Sequence, residues 1–387
     1  MLIQKNIIVI TQQGTGRNLE LTFNFCKDFS IESTWEDMTS TAEVTLPRKI
    51  IVKNQNNGDV SLYDTNFNVG GFNNDTPLIL KGDTIQIYAG YRYRDNMGIW
   101  QDTTSLWFDG YISGVTPNKP FVLKCEDYAW KLKQIPAISK IWKGYTITEM
   151  LKELLKGTDI TLNITADIGF KYDVGYFDST GLSIVQVLDK LKKENNFYSY
   201  IRGRELRVGY PLYVESEANT HTFEFQRNII SNDLEYKRKE DVFLSAILKY
   251  TETEVTGTAK DGAQKTKQKG KEILIYYKNG EFVNRDIPSG QTPLMSEGER
   301  RTFLYLPNTP REIMIADAQA RLKKYYYTGY KGSFYVFGHP FVQHGDNVTI
   351  VNPVLKEMQS TYKVRKVVYS GGVNGLRQEI TLDFKTA

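Results

Sequence analysis

Two stretches carry the reading of this chain: "LILKGDTIQIYAGY" at 78–91 and "FVQHGDNVTIVNP" at 341–353. In each, Gly-Asp precedes a short alternating strand, at Gly82-Asp83 and again at Gly345-Asp346. Gly permits the positive φ of a tight turn, and the Asp side chain hydrogen-bonds backbone amides beside it. In the first stretch Ile85, Ile87, Ala89 and Tyr91 share one face, while Thr84, Gln86 and Tyr88 share the other. That alternation is the mark of a half-buried strand. The elements after each turn also recur in order. After the first comes a strand holding Ile112 and Val115, then "FVLKCED" at 121–127. After the second comes a strand holding Val364 and Val367, then "EITLDF" at 379–384. Ile85 and Ile87 match Val348 and Ile350. The expectation is two structurally similar β domains separated by something different.

Working outward, residues 1–135 read as short strands with polar loops: "NIIVIT", "NLELTFNFC", "AEVTLP", "DTIQIYAGY", "LWFDGYISGV" and "FVLKCED". Their spacing predicts a small barrel or sandwich, with 53–76 as a long Asn-, Asp- and Gly-rich loop. The texture changes near 136. "TITEMLKELLKGT" places Ile147, Met150, Leu151, Leu154 and Leu155 on one helical stripe, with Thr146 and Glu149 at capping-box spacing and Gly157 at the exit. A second helix over 181–194 and a hairpin turning at Arg202-Gly203 complete an α/β module spanning 136–212.

Strands return over 213–387, with one helix over 310–327. Thr309 is the expected N-cap, Pro310 the first helical residue, and Ile315, Ala318, Leu322 and Tyr326 the buried stripe. The segment 251–272 is nearly free of large apolar residues and reads as a flexible loop. Lys260, Lys265, Lys267, Lys269 and Lys271 make it basic, and it is a candidate partner-binding loop. The fold class is therefore mainly β with an α/β insertion: two β-barrel domains flanking a small α/β module.

Composition excludes several function classes. Across 387 residues, Lys+Arg 49 against Asp+Glu 45 leaves a net charge of +4, too small to argue for nucleic-acid or membrane binding by charge. The 25 tyrosines fit a strand-rich chain with contact surfaces. Cys26 and Cys125 lie far apart and suggest neither a disulfide framework nor a zinc site. No apolar run approaches the roughly 18 residues that span a bilayer, and the N-terminus reads as a first strand without signal-peptide features. The chain is expected to be soluble and made in a cytoplasm.

Catalytic and cofactor signatures are weak. Of three histidines, His339 and His344 share one segment and read as turn or surface residues, while His221 sits at a strand start in "NTHTFEF" with no partner near it in sequence. The adjacent pairs Glu36-Asp37, Glu126-Asp127 and Glu240-Asp241 point to opposite faces of a strand and do not converge. "GGFNND" at 70–75 and "GGVNG" at 371–375 lack the lysine and helix of a phosphate cradle. "KKYYYTGYKG" at 323–332 reads as packing and snorkelling at the end of a helix. No enzyme, metal, cofactor or small-molecule substrate is expected.

The pattern "GDTIQIYAGY…FDGYISGV…CEDYAWKLK" resembles the first barrel of phage tail baseplate hub proteins. "ADAQARLKKYYYTG" from Ala316, followed by "GHPFVQHGDNVTI" and "YKVRKVVYSGG", resembles the second. The family is the tail protein D, late-control type; the hub part of type VI secretion spike proteins is similar. The resemblance implies two tail-tube-like barrels and a homotrimer forming a pseudo-hexameric ring that joins a sixfold tail tube to a threefold spike. It implies as partners the tail tube protein, a separate spike protein and other baseplate components, with DNA passing through the bore without specific binding. It places the chain in the virion tail baseplate, after assembly in a bacterial host cytoplasm. A related contractile injection or secretion apparatus is the near alternative. From a different class, a polysaccharide-binding or -cleaving β protein would require an aromatic-lined cleft with converging carboxylates.

Overall fold

A computed structural model of the chain describes residues 2–386 apart from 18, 48, 54–59, 65–77, 117–120, 165–173, 196–197, 210–217, 259–263, 279, 289–290, 292–298 and 306–308. The fold is mainly β, with helices Ala129–Gln134, Ile147–Leu154, Ile184–Asn195 and Arg311–Tyr325.

Fourteen strands hydrogen-bond into one sheet. In the first half Leu2–Thr11 pairs with Thr84–Arg94, which pairs with Ser105–Thr116, then Phe121–Glu126, Thr41–Leu46 and Asp28–Thr34, all antiparallel. In the second half Asn347–Val351 pairs with Ser360–Gly372, which pairs with Arg377–Lys385, then Ser333–Phe337 and Ile229–Asn232. The halves meet where Asp28–Thr34 runs antiparallel to Ser360–Gly372, from Thr34 opposite Lys366 to Asp28 opposite Gly372. A single ladder therefore crosses from one half to the other, and one apolar core runs beneath both. Trp107 stands at that crossing, stacked on Phe341 at 5.3 Å and near Tyr369 and Phe29 at 5.4 and 6.1 Å.

The joining strand "DFSIEST" carries little signal of its own in the sequence. It offers only Phe29 and Ile31 to the core, and its second neighbour lies more than 330 residues away.

A second core belongs to the α/β module. The stripe Ile147, Met150, Leu151 and Leu154 is buried, and Thr146 and Glu149 form the expected capping box. Leu188 and Leu191 of the next helix pack into the same core, as do Ala129 and Leu132 from the preceding short helix, which falls within residues 1–135. The hairpin Tyr198–Arg202 and Glu205–Gly209 turns at Gly203, whose φ is +61°.

Three local expectations are corrected. Residues 251–258 and 264–272 are paired strands within the hairpin Leu244–Thr258 and Gln264–Lys278. Cross-strand charge stands in for apolar burial there: Lys249 pairs with Glu272 at 2.9 Å and Lys271 with Glu252. Within 53–76, Val60–Asp64 is a strand paired with Lys49–Lys53; the rest lies outside the described residues apart from Lys53 itself. The long helix begins one residue later than expected. Pro310 is the N-cap, its carbonyl accepting from Ile313 and Met314 at 3.1 Å. The buried stripe is Met314, Ala318, Leu322 and Tyr325, with Arg321 buried beside it, so Ala318 and Leu322 stand and the outer two positions shift.

Candidate assembly surfaces: the duplicated turn and the joining strand

The two Gly-Asp turns are built by the same hydrogen bonds. Gly82 N–H donates to the Ile112 carbonyl at 2.8 Å, and Ile112 N–H donates to the Asp83 carbonyl at 2.9 Å. Gly345 N–H donates to the Val364 carbonyl at 2.8 Å, and Val364 N–H to the Asp346 carbonyl at 2.9 Å. Each Asp side chain accepts from the backbone N–H three residues before it, Leu80 or Gln343, at 2.8 Å in both cases. The glycine φ values are +96° and +86°, a region where an L side chain is strained. Both aspartates are buried.

The match continues along the strands. Ile85, Gln86 and Ile87 face Gly110, Asp109 and Phe108, as Val348, Thr349 and Ile350 face Tyr362, Thr361 and Ser360. Val115 faces Leu123 and Ile112 faces Cys125, with a bulge that leaves Ser113 between them. Val367 faces Ile380 and Val364 faces Leu382, with a bulge that leaves Arg365 between them. A bulge re-aims a strand and is not expected twice by chance at one register. The halves differ in the neighbour beyond the turn, since Leu2–Thr11 runs antiparallel to Thr84–Arg94, whereas Thr220–Glu224 runs parallel to Asn347–Val351.

They differ as well in the side chain offered to the aspartate. Arg17 grips Asp83 with two bonds of 2.7 and 2.8 Å, and Gln13 N–H adds a third at 2.9 Å. Asp346 instead meets His221 Nε2 at 3.2 Å. His221 thus belongs to the second turn, a role that only the fold reveals. Burial, with His221 nearby, lowers the pKa of His339.

The two halves and the module meet at a small polar junction. His344 is buried, its Nδ1 2.8 Å from Ser33 Oγ, which lies 3.2 Å from Ser40 Oγ. Ser40 N–H donates to Asp127 at 2.7 Å, and Ala129 N–H donates to the same carboxylate at 2.9 Å. Arg202 of the module donates to the His344 carbonyl. Burial pushes Asp127 up to about 7 against the opposing pull of the Ser40 and Ala129 bonds. Asp109, also raised by burial, lines the same cavity with Trp107, Phe108 and Tyr369. Of the adjacent pairs expected on strands, Glu36-Asp37 lies in a bend, Glu240-Asp241 in a single 3-10 turn, and Asp127 just past the strand that ends at Glu126. The cavity holds only about 80 Å³, well short of the roughly 300 Å³ at which ligand pockets begin. His344 is accordingly an interior joint rather than a surface histidine. Among the described residues no group of His, Cys, Asp and Glu is placed to hold a metal ion.

Both cysteines are buried and free, and burial raises Cys26 to about 11 and Cys125 further. The aromatic run after the long helix packs as expected. Tyr325, Tyr327 and Tyr330 are buried, Lys237 Nζ lies 3.8 Å over the Tyr327 ring, and Lys324 lies 5.1 Å over Phe384. Of the basic segment, Lys267, Lys269 and Lys271 alternate along Gln264–Lys278, in register with Glu254, Glu252 and Tyr250, and Lys265 is in register with Gly257. Lys267 and Lys269 are exposed, and Lys260 lies outside the described residues.

No protein-family model matches the chain, and no curated protein matches it in sequence. Solved structures do. A tail protein from Neisseria meningitidis MC58 superposes with a TM-score of 0.55 over 99% of this chain and 96% of its own, at 14% identity. The 43 kDa tail protein of prophage MuSo2 from Shewanella oneidensis gives 0.54 over 99% and 98%, at 10% identity. The chain has the fold of phage tail proteins.

Within this tail-protein fold the shared sheet has a second, polar face. Glu32, Thr41, Glu43, Ser113, Lys124 and Glu126 line an open trough of about 420 Å³ across the first half. Val368 and Ser370 extend the face past the joint, opposite Glu32 and Ser30. Among the described residues, no helix is long and apolar enough to cross a membrane.

Proposed function

We propose that the chain is a structural component of a phage or prophage tail baseplate, a hub whose homotrimer closes a pseudo-hexameric ring between a sixfold tail tube and a threefold spike. The observation that carries this is the joint between the halves, because its chemistry can repeat between chains. Leu123 and Ile380 are equivalent, so Val44 corresponds to Phe334 and Phe29 to Asn232. The joining strand then corresponds to residues 231–237. Consistently, Glu32 faces Thr41 as Glu235 faces Lys331. Within the chain, Thr34, Ser33 and Glu32 pair with Lys366, Val367 and Val368. The same joint between copies puts Lys237, Tyr236 and Glu235 opposite Gly114, Val115 and Thr116 of the next copy. Tyr236 is exposed on the single chain, and Ile229–Asn232 ends the ladder order. Such a head-to-tail contact closes into a ring when the rotation allows, and three two-part chains give six near-equivalent positions.

In this reading the polar sheet face lines the bore, where DNA passes without specific contact. The tube protein and a spike stack above and below. The lysines of the long hairpin meet an acidic surface of another baseplate component. The role is assembly in the virion without catalysis, after synthesis in the host. The test is a chain carrying Val115→Cys and Tyr236→Cys. Oxidation is expected to yield covalently closed trimers, as directly paired strand residues come within disulfide reach. A chain that stays monomeric at high concentration and forms no cross-link sinks the ring.

A further inference from the structure

The joint inside the chain is a template, position by position, for the same joint between copies. Inside the chain the joining strand brings Ser33 against His344. His344 Nδ1 lies 2.8 Å from Ser33 Oγ, with Ser40 Oγ 3.2 Å beyond. The Tyr200 ring also meets the imidazole, edge-on at 4.7 Å, and His344 is only 3% exposed.

The members of the contact have counterparts elsewhere in the chain. His344 precedes Gly345 as Lys81 precedes Gly82, in turns closed by the same main-chain bonds. Glu32 opposite Thr41 matches Glu235 opposite Lys331, so Ser33 and Ser40, one position on, match Tyr236 and Tyr330. Where the two serines are in hydroxyl contact, the two tyrosine rings meet edge to face with centroids 5.2 Å apart. Tyr330 is buried and backs Tyr236, which is 38% exposed. Lys81 is exposed at the position where His344 is covered. Among the described residues Gly114–Thr116 pairs only with the strand Phe121–Glu126, so the edge that the joining strand fills in the second half is open beside Lys81 in the first.

The two sets of side chains suit each other in kind. Small hydroxyls leave room for an imidazole, and a long ammonium side chain suits the electron-rich face of a tyrosine ring. We infer that Lys81 of one copy docks on Tyr236 of the next, its ammonium against the ring that Tyr330 backs, and that this contact closes the joint between copies. A second copy is selected as the occupant because both members lie on this chain, at positions equivalent to a contact the chain already makes. Six strands of the ladder stand between the end strand Ile229–Asn232 and Ser105–Thr116, and both side chains are exposed, so what each lacks is supplied by another copy. The contact rests on the ring reading above and adds which side chains hold the ring shut.

The experiment measures self-association of the full chain by sedimentation equilibrium over a range of concentrations. The wild type is compared with Lys81→Gln, Lys81→Glu and Lys81→Arg. Their midpoints of thermal unfolding at low concentration are expected to match, because the Lys81 side chain is in water in the single chain. A cation against an aromatic ring is worth about fivefold per contact, and three such contacts close a trimer. Lys81→Gln is therefore expected to lower the trimer association constant about a hundredfold, Lys81→Glu to lower it further, and Lys81→Arg to keep it near the wild type. If the wild type forms trimers and Lys81→Gln forms them equally well, the contact is overturned and the ring stands. The same holds if Lys81→Arg fails as Lys81→Gln does. A wild type that stays monomeric at every concentration overturns the ring and the contact together.

Discussion

The two Gly-Asp turns share the main-chain hydrogen bonds that close them and differ in the side chain that meets the aspartate. Asp83 is held by a guanidinium from the neighbouring hairpin loop, with the Arg17 side chain only 15% exposed. Asp346 is held by an imidazole from Thr220–Glu224, which runs parallel to its partner Asn347–Val351. The duplicated part is thus the main-chain frame, namely turn, bulge and register. The side chain that meets the aspartate is recruited from whatever element passes nearby. A frame of this kind survives divergence because backbone bonds place few demands on side-chain identity, whereas an ion pair ties two positions together.

Several measurements would break or sharpen this comparison. The largest effect is expected from Asp83→Ala, which leaves the nearly buried Arg17 charge without its partner at a cost of about 3–5 kcal/mol, read by denaturant unfolding. A loss below about 1 kcal/mol would mean that the backbone bonds alone hold the turn. Next is Gly372→Ala at the joint. Its φ is +124°, and an added Cβ would lie 2.3 Å from the Lys27 carbonyl oxygen. The expected loss is about 2–3 kcal/mol, with increased amide exchange in Asp28–Thr34 ahead of the α/β module. If exchange rises equally in the module, the joint and the module unfold as one unit.

The junction should show in the pH dependence. Asp127 has its folded pKa raised from 3.8 to about 7, so the folded chain binds the extra proton between those values. Its contribution is fully present below about pH 4 and is lost as pH rises through about 7. The slope approaches about 1.4 kcal/mol per pH unit within the window. Asp127→Asn is expected to flatten that part of the stability profile, and an unchanged profile would show that Asp127 is ionised throughout. A smaller effect, about 1 kcal/mol, is expected for Asp346→Asn, since the amide oxygen still accepts from the Gln343 N–H. Should it match Asp83→Ala, the two turns carry equal electrostatic weight. Smallest of all, Lys267→Ala with Lys269→Ala should leave the unfolding midpoint unmoved, because both side chains are exposed.

Much of the frame is legible because it is local. Gly-Asp before alternating residues announces a turn and a strand, and the i, i+3, i+4 stripe from Ile147 announces a helix. Even the match of Ile112 and Val115 with Val364 and Val367 is visible, since equivalent core positions demand similar apolar side chains. The joining strand is not, because two apolar residues in "DFSIEST" carry no signal until a second ladder covers them. The lysine segment misleads for a related reason. Its strands are held by cross-strand charge and main-chain bonds, which a count of apolar residues cannot register. His221 and His344 are silent because their partners, Asp346 and Ser33, lie far away in the chain, and Asp127 because Ser40 does.

The chain by itself therefore determines whatever depends on neighbours within a few residues: turns, caps, helical stripes, strand alternation and the repetition of a unit. Only the tertiary structure decides how the units meet: the ladder from Asp28–Thr34 to Ser360–Gly372, the partners assigned to each aspartate, and the polar junction at His344. The physical reason is that long-range pairing is selected by the fit of whole surfaces. No residue carries that fit until the chain has brought its distant partner within hydrogen-bonding reach.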